Sequence, residues 1–201
     1  VARPNERQYV ATIPHLPQVQ VLFQRAIDVA RKVNDGSVDM GITGYDIVRE
    51  HSDGQHNIIL AYENLGYGGC RLVVAVPKSW VDVSDVADIA DLTVSCKERG
   101  QDFRIATKYP NLTKAWLHKR GIIYFSLVES QGALEAAPSM GYADIIVDLT
   151  STGTTLRENQ LKEIIGGTIL ESQACLISNK YLLQHKPEKL KIVRTMLEFI
   201  E

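Results

Sequence analysis

Asp148 is followed by Leu149 and then by Thr150, Ser151, Thr152, Gly153, Thr154 and Thr155, five hydroxyl side chains and one glycine in six positions. The apolar run Ile145-Ile146-Val147 before them reads as a buried strand, and Thr154 onward reads as a helix. A strand that ends in a hydroxyl-rich turn at a helix N-terminus is an anion cradle, because unpaired backbone N–H groups, the helix dipole and Ser/Thr hydroxyls all favour negative charge there. Gly153 lets the backbone approach a ligand closely. The competing reading is that Ser and Thr merely cap the helix. Five hydroxyls exceed what one cap needs, so a monophosphate site on Ser151, Thr152, Gly153, Thr154 and Thr155 is expected. The Gly-x-x-x-x-Gly-Lys-Ser/Thr spacing of a nucleoside triphosphate loop is missing, which points to a terminal, sugar-borne phosphate. Asp148 cannot bind phosphate by charge, and it suits neutral donors such as ribose hydroxyls; the alternative is a solvent-facing carboxylate at a strand end.

A second acidic candidate is Glu135, in Gln131-Gly132-Ala133-Leu134-Glu135-Ala136-Ala137-Pro138. There it would face the same cleft if the two strands are neighbours, or simply complement a helix dipole. The block Asp39-Met40-Gly41-Ile42-Thr43-Gly44-Tyr45-Asp46 reads as a strand, a turn with two glycines and a helix beginning near Asp46, which taken alone is loop punctuation. His15, His51, His56, His118 and His185 form no metal-ligand spacing, and Cys70, Cys96 and Cys175 contain no Cys-x-x-Cys pair. Neither set points to a zinc site, a disulfide framework or a reactive thiol.

The elements that must position these groups alternate. Strands are expected at 38–42, 58–62, 71–76, 104–106, 122–127, 145–149 and 168–177, and helices at 19–33, 45–50, 86–90, 112–120, 133–140, 154–161 and 187–200. The alternation predicts an α/β fold with mostly parallel strands. Breaks near Pro77 and at Gly166-Gly167 divide it into lobe I, residues 1–76 and 168–201, and lobe II, residues 77–167, inserted into the first. Ligands then belong between lobes, near strand C-termini.

Composition narrows the function classes. The chain has 201 residues, 45% hydrophobic and 23% charged, with a formal net charge of −2. That balance opposes a nucleic-acid grip through phosphate neutralisation. No run reaches the length of a membrane span, so no membrane partner and a cytoplasmic location are expected.

The combination Gln131-Gly132-Ala133-Leu134-Glu135-Ala136-Ala137-Pro138-x-x-Gly141-x-Ala143-Asp144-x-Ile146-x-Asp148-Leu149-x-Ser151-Thr152-Gly153-x-Thr155-Leu156-x-x-Asn159-x-Leu161 resembles the signature of the ATP phosphoribosyltransferases, which open histidine biosynthesis. Supporting blocks follow the family order: Arg3-Pro4, Arg7-Gln8-Tyr9-Val10, Asp39 to Asp46, Gly69-Cys70-Arg71-Leu72 and Arg104 to Leu112. The resemblance implies a two-lobed, periplasmic-binding-protein-like (type II) fold in which ATP and phosphoribosyl pyrophosphate meet with Mg2+. N1 of adenine attacks the anomeric carbon, pyrophosphate leaves and the configuration inverts. It further implies catalytic roles for Glu135 and Asp148 near the ribose hydroxyls and a 5-phosphate site at Ser151 to Thr155. Gly44 and Asp46 would line the nucleotide side, with Arg3, Lys108 and Tyr109 as candidates for the polyphosphates and for stacking on adenine. The magnesium ligands stay unassigned. A homo-oligomer is expected, with a separate regulatory subunit in short-form members.

Family members begin with a strand and a Lys- and Gly-containing loop, whereas this chain opens at Val1-Ala2-Arg3-Pro4; a fragment is therefore expected, and the short and long forms are not distinguished. The alternative function is a non-enzymatic two-lobed binding module of the same fold.

Overall fold

The computed structural model describes residues 9–51, 57–129 and 133–198. Its elements in chain order are β1 (Val10–Ile13), β2 (Leu16–Leu22), α1 (Ala26–Asn34), β3 (Met40–Gly44), α2 (Tyr45–Glu50), β4 (Ile58–Tyr62), β5 (Cys70–Pro77), α3 (Val86–Glu98), β6 (Arg104–Thr107), α4 (Pro110–Lys119), β7 (Ser126–Glu129), β8 (Ile145–Thr150), α5 (Thr154–Glu158), β9 (Leu161–Ser172), β10 (Ala174–Asn179), α6 (Lys180–His185) and α7 (Pro187–Glu198). They form two compact units. The first comprises Val1–Thr43, Gln55–Glu63 and Cys175–Glu201, and the second Gly44–Gly54 and Asn64–Ala174.

In the first unit β1 and β2 make an antiparallel hairpin, and a three-stranded sheet has the order β3-β10-β4. Asn179 ties it together: its amide donates to the carbonyl of Val33 at 2.7 Å, and its oxygen accepts the N–H of Leu182 at 3.1 Å, capping α6. Along α7, Val193 is buried while Leu190 and Leu197 are half-buried, the expected stripe; Ile200 lies outside the described residues.

The second unit is built on a five-stranded sheet of order β7-β6-β8-β5-β9. β5 and β8 at its centre read as near-continuous apolar runs because both faces are covered. Strand alternation sorts the two faces. Leu72, Val74, Val76, Ile105, Ile145 and Val147 point toward Ile89 of α3 and Trp116 and Leu117 of α4. Val73, Ala75, Ala106 and Ile146 point the other way, toward Leu134, Ala137 and Leu156. Asp148 follows Ile146 on this second face. α3 starts at a reciprocal cap: Asp85 Oδ1 accepts the N–H groups of Ala87 and Asp88, and Asp88 Oδ2 accepts that of Asp85.

Several expectations are corrected. The large sheet is mixed: β6 runs parallel to β7 and β8, but β5 runs antiparallel to both β8 and β9. The units part at 63/64 and 174/175, not at 76/77 and 167/168, because β5 and β9 pair within the second sheet. Gly166-Gly167 is not a boundary but part of a bulge inside β9, where Val73 pairs with Thr168 and Ala75 already pairs with Glu163. The expected strand 168–177 is therefore the end of β9 and most of β10. Residues 19–22 finish a strand, since Gln18-Val19-Gln20-Val21 has period two, and the helix starts only at Ala26. The expected strand 122–127 is β7, shifted to Ser126–Glu129. The expected helix 133–140 shrinks to one 3-10 turn, Leu134–Ala136, because Pro138 has no N–H to continue it.

Candidate active site

β8 delivers the acidic and hydroxyl residues from the buried sheet into a tight turn. Gly153 sits at φ 71°, ψ 4°, immediately before α5, a left-handed conformation that costs a side-chain-bearing residue about 1–2 kcal/mol. The turn is held largely by its own hydroxyls. Thr150 Oγ1 accepts the N–H of Gly153 at 2.9 Å, and Thr152 Oγ1 donates to Thr154 Oγ1 at 3.0 Å. Arg157 lies across it, with Nη1 donating to the Thr152 carbonyl at 3.1 Å and Nη2 donating to Thr154 Oγ1 at 3.0 Å. Among the described residues the hydroxyls of Ser151 and Thr155 have no partner, and both residues are exposed. The five hydroxyls thus divide into three that shape the turn and two that face outward.

α5 ends at Glu158 where the sequence predicts a helix to 161, because Gln160 turns at φ 57° and β9 begins at Leu161. Its dipole is that of little more than one turn. Anion binding here would rest on local N–H groups and hydroxyls more than on a macrodipole.

Two other residues singled out in the sequence, Glu135 and Lys108, act on Asp148. Burial pushes its carboxyl above the ordinary range, the Leu149 N–H donating to Oδ1 at 2.8 Å and the charge of Lys108 pull it down, and Glu135 pushes it up. Two carboxylates and one ammonium therefore share a field. Glu135 reaches it although β6 separates β7 from β8, because buried Leu134 anchors the 3-10 turn on the β8 face. Gln131 and Gly132 lie outside the described residues, as does Arg3.

Asp46 and Tyr109 are placed differently from what the resemblance implies. Tyr109 is 7% exposed and packs in the α3/α4 core, so its ring offers no face for stacking on a base. Its hydroxyl donates to Asp46 Oδ2 at 2.7 Å, and Ser172 Oγ donates to Asp46 Oδ1 at 2.6 Å. Asp46 is 5% exposed with both carboxylate oxygens engaged. Gly44 is required beside it, since a Cβ there would collide with Asp46 Oδ1. Burial raises the pKa of the Cys70 thiol, as suits an inert cysteine.

Sequence reasoning assigned no role to Arg71, Glu163 and Arg157. Arg71 grips Glu163 through two bonds of 2.8 and 3.2 Å, and a Cβ on Gly153 would lie 3.3 Å from Glu163 Oε1 and 3.0 Å from Arg157 Nη1. The pair thus backs the turn from β5 and β9. Within the second unit Arg71, Ser151, Glu171 and Ser172 also line an open pocket of about 440 Å³. The signal for Arg71 was the Gly69-Cys70-Arg71-Leu72 block; for Arg157 it was an arginine three residues after Thr154, one helical turn along.

The chain is similar to known proteins in sequence and in fold. The ATP phosphoribosyltransferase family model matches residues 25–199. ATP phosphoribosyltransferase 2, chloroplastic, of Arabidopsis thaliana is 41% identical over 203 aligned residues, covering 100% of this chain and 49% of the plant protein, so the chain spans about half the length of that relative. ATP phosphoribosyltransferase of Chelativorans sp. is 46% identical, with 88% of this chain and 77% of that protein covered. Among solved structures, the ATP phosphoribosyl transferase (HisG:HisZ) complex from Thermotoga maritima aligns with a TM-score of 0.74 at 24% identity, covering 100% of this chain and 87% of that one. The alkanesulfonate-binding protein SsuA from Xanthomonas axonopodis pv. citri aligns at 0.56 and 16% identity, covering 92% and 64%. These two likenesses show the fold, the two-lobed periplasmic-binding-protein class.

Proposed function

Because this chain belongs to the ATP phosphoribosyltransferase family, we propose that the protein transfers the phosphoribosyl group of phosphoribosyl pyrophosphate to N1 of the adenine of ATP, the first step of histidine biosynthesis. The observation that carries the reading is the Asp148–Thr155 segment: two outward hydroxyls on a turn braced by three others, next to a carboxylate that shares its field with Glu135 and Lys108.

In this reading Ser151 and Thr155 donate to the 5-phosphate, together with backbone N–H groups of the turn. Asp148 and Glu135 accept from the ribose hydroxyls, which fixes the anomeric carbon against the attacking nitrogen. The N1 lone pair forms the new N–C bond as the C–O bond to pyrophosphate breaks, and pyrophosphate leaves with the bonding electrons, inverting the carbon. Adenine N1 is already nucleophilic, so alignment and charge stabilisation supply the acceleration. Lys108 places a cation where the leaving group gains charge.

Magnesium belongs to the same proposal. Among the described residues no three His, Cys, Asp or Glu side chains are grouped to hold a metal. Magnesium is commonly held by one or two carboxylates plus substrate phosphates, and the Asp148 and Glu135 pair fits that pattern. When bound, the ion would neutralise charge on the departing pyrophosphate.

A homo-oligomer, with a separate regulatory subunit if the protein is a short form, is part of the reading, and so is a cytoplasmic location. No described helix is long and apolar enough to cross a membrane. The binding-module alternative has no site observation in its favour, since the SsuA likeness shows the fold alone. The test is an assay of the full-length protein with ATP, phosphoribosyl pyrophosphate and magnesium. Phosphoribosyl-ATP and pyrophosphate are expected in equal amounts, and their absence from a folded, full-length preparation would overturn the proposal.

A further inference from the structure

In sequence α2 stands between β3 and β4, two strands of the first unit's sheet, yet it belongs to the second unit. Two buried carboxylates hold it there: Glu50 at its C-terminal end bonds the start of α4, and Asp46 at its first turn bonds Tyr109 and Ser172. The Asp46 arrangement is unusual for a structural tie. All three residues are at least nine-tenths buried, and no cation pairs with Asp46 among the described residues. The carboxylate is stabilised by hydroxyl donors alone, and its own N–H donates back to Ser172 Oγ at 2.9 Å. What a carboxylate supplies that an amide does not is an acceptor on both oxygens, so the phenol of Tyr109 is held as a donor in one position.

Tyr109 is the last residue before α4 and the next residue after Lys108, an exposed lysine one position beyond the Thr107–Val147 pair of β6 and β8, where the parallel register sets it beside Asp148. The backbone there has little freedom. Tyr109 N–H donates to Thr107 Oγ1 at 2.9 Å, and Pro110 follows with its fixed φ. Fixing the Tyr109 ring at its hydroxyl end therefore fixes the direction in which Lys108 leaves the sheet.

We infer that Asp46 is a positioning residue that acts through Tyr109 to set the Lys108 ammonium relative to Asp148. This rests on the proposed phosphoribosyl transfer and deepens it, replacing nucleotide contacts for Asp46 and Tyr109 with a role one step removed from the substrate.

The test is a mutant cycle on the full-length protein. Tyr109→Phe removes only the hydroxyl, and Asp46→Asn keeps the shape; each should lower kcat/KM for phosphoribosyl pyrophosphate about tenfold or more while leaving the KM for ATP unchanged. The decisive arm repeats both changes in a Lys108→Ala background. There neither should lower activity further, because the residue through which they act is gone. Thermal unfolding of each variant accompanies the kinetics, and Tyr109→Phe serves as the variant if Asp46→Asn does not fold. Losses that multiply in the Lys108→Ala background, or an equal rise in the KM for ATP, overturn the inference while the transferase reading stands. A wild type that forms no phosphoribosyl-ATP overturns both.

Discussion

The carboxylate of Glu50 accepts the backbone N–H of Asn111 at 2.8 Å, so one helix caps the first turn of another. Its second oxygen accepts the N–H of Leu112 at 3.0 Å, and the Asn111 side chain returns a bond to the Glu50 carbonyl. α4 has no cap of its own, since Tyr109 at its N-cap offers no side-chain acceptor to these N–H groups. Glu50 supplies both the missing acceptors and the negative charge that a helix N-terminus favours.

Replacing Glu50 with Ala should therefore cost the fold about 1–3 kcal/mol, two charge-assisted bonds lost and two part-buried donors left without their acceptor. Glu50→Gln, which keeps one acceptor, should cost roughly half of that. Urea denaturation of the two variants measures both, and a loss below about 1 kcal/mol for Glu50→Ala would show that water replaces the cap.

Asp148 carries the opposite sign. Burial is the largest influence on it and raises its folded pKa above the unfolded value, so between the two the folded state binds more protons. Its contribution to stability is then fully present below the unfolded carboxyl pKa and declines as pH rises through the raised folded value. At neutral pH the ionised group is a burden on the fold. Asp148→Asn, which keeps an oxygen for the Leu149 N–H, should raise the melting temperature at pH 7, leave it nearly unchanged at pH 3, and abolish phosphoribosyl transfer. Equal melting curves at pH 7 would mean that Lys108 and the Leu149 N–H already offset the burial.

The turn and its strand were legible because they depend on local chemistry: an apolar run, an acidic end, hydroxyls and one glycine. α2 at Tyr45–Glu50 and β4 at Ile58–Tyr62 match the predicted ranges for the same reason. What sequence spacing could not supply was partnership across the chain. Tyr109 and Asp46 are 63 residues apart, and Arg71 and Glu163 are 92 apart. Asp46 and Tyr109 read singly as polar residues free to meet a ligand, and nothing local to Arg71 or Glu163 points to the other. Strand direction failed similarly, since β5 is apolar throughout and an all-buried strand reads the same whether its neighbours run parallel or antiparallel.

The division of hydroxyls in the turn separates binding from folding. Ser151→Ala and Thr155→Val remove the two outward hydroxyls and should each weaken phosphoribosyl pyrophosphate binding by about 1–2 kcal/mol, roughly five- to thirtyfold, with little change in unfolding free energy. Thr150→Val instead strips the acceptor from the Gly153 N–H in a buried turn and should cost about 1–3 kcal/mol of stability. Calorimetric titration and denaturation on the same three variants check the split. If Ser151→Ala and Thr155→Val both leave affinity unchanged, the phosphate is not held by this turn.

Gly153 is where the turn and its strap meet. A methyl group there faces two separate penalties: the left-handed backbone, about 1–2 kcal/mol, and contact with Arg157 Nη1 at 3.0 Å and Glu163 Oε1 at 3.3 Å. Glu163 is held by Arg71 and cannot yield easily, whereas the Arg157 guanidinium is the free end of a flexible chain. The methyl should therefore displace Arg157 and break its bonds to the Thr152 carbonyl and Thr154 Oγ1. Gly153→Ala is expected to lower stability by about 1–2 kcal/mol and to weaken phosphoribosyl pyrophosphate binding about tenfold. If loss of the strap causes the affinity defect, Arg157→Ala alone should reproduce it without the backbone cost, and the double variant should bind no more weakly than Gly153→Ala. Should Arg157→Ala bind like the wild type, the glycine serves the ligand directly, through the close approach of its own backbone.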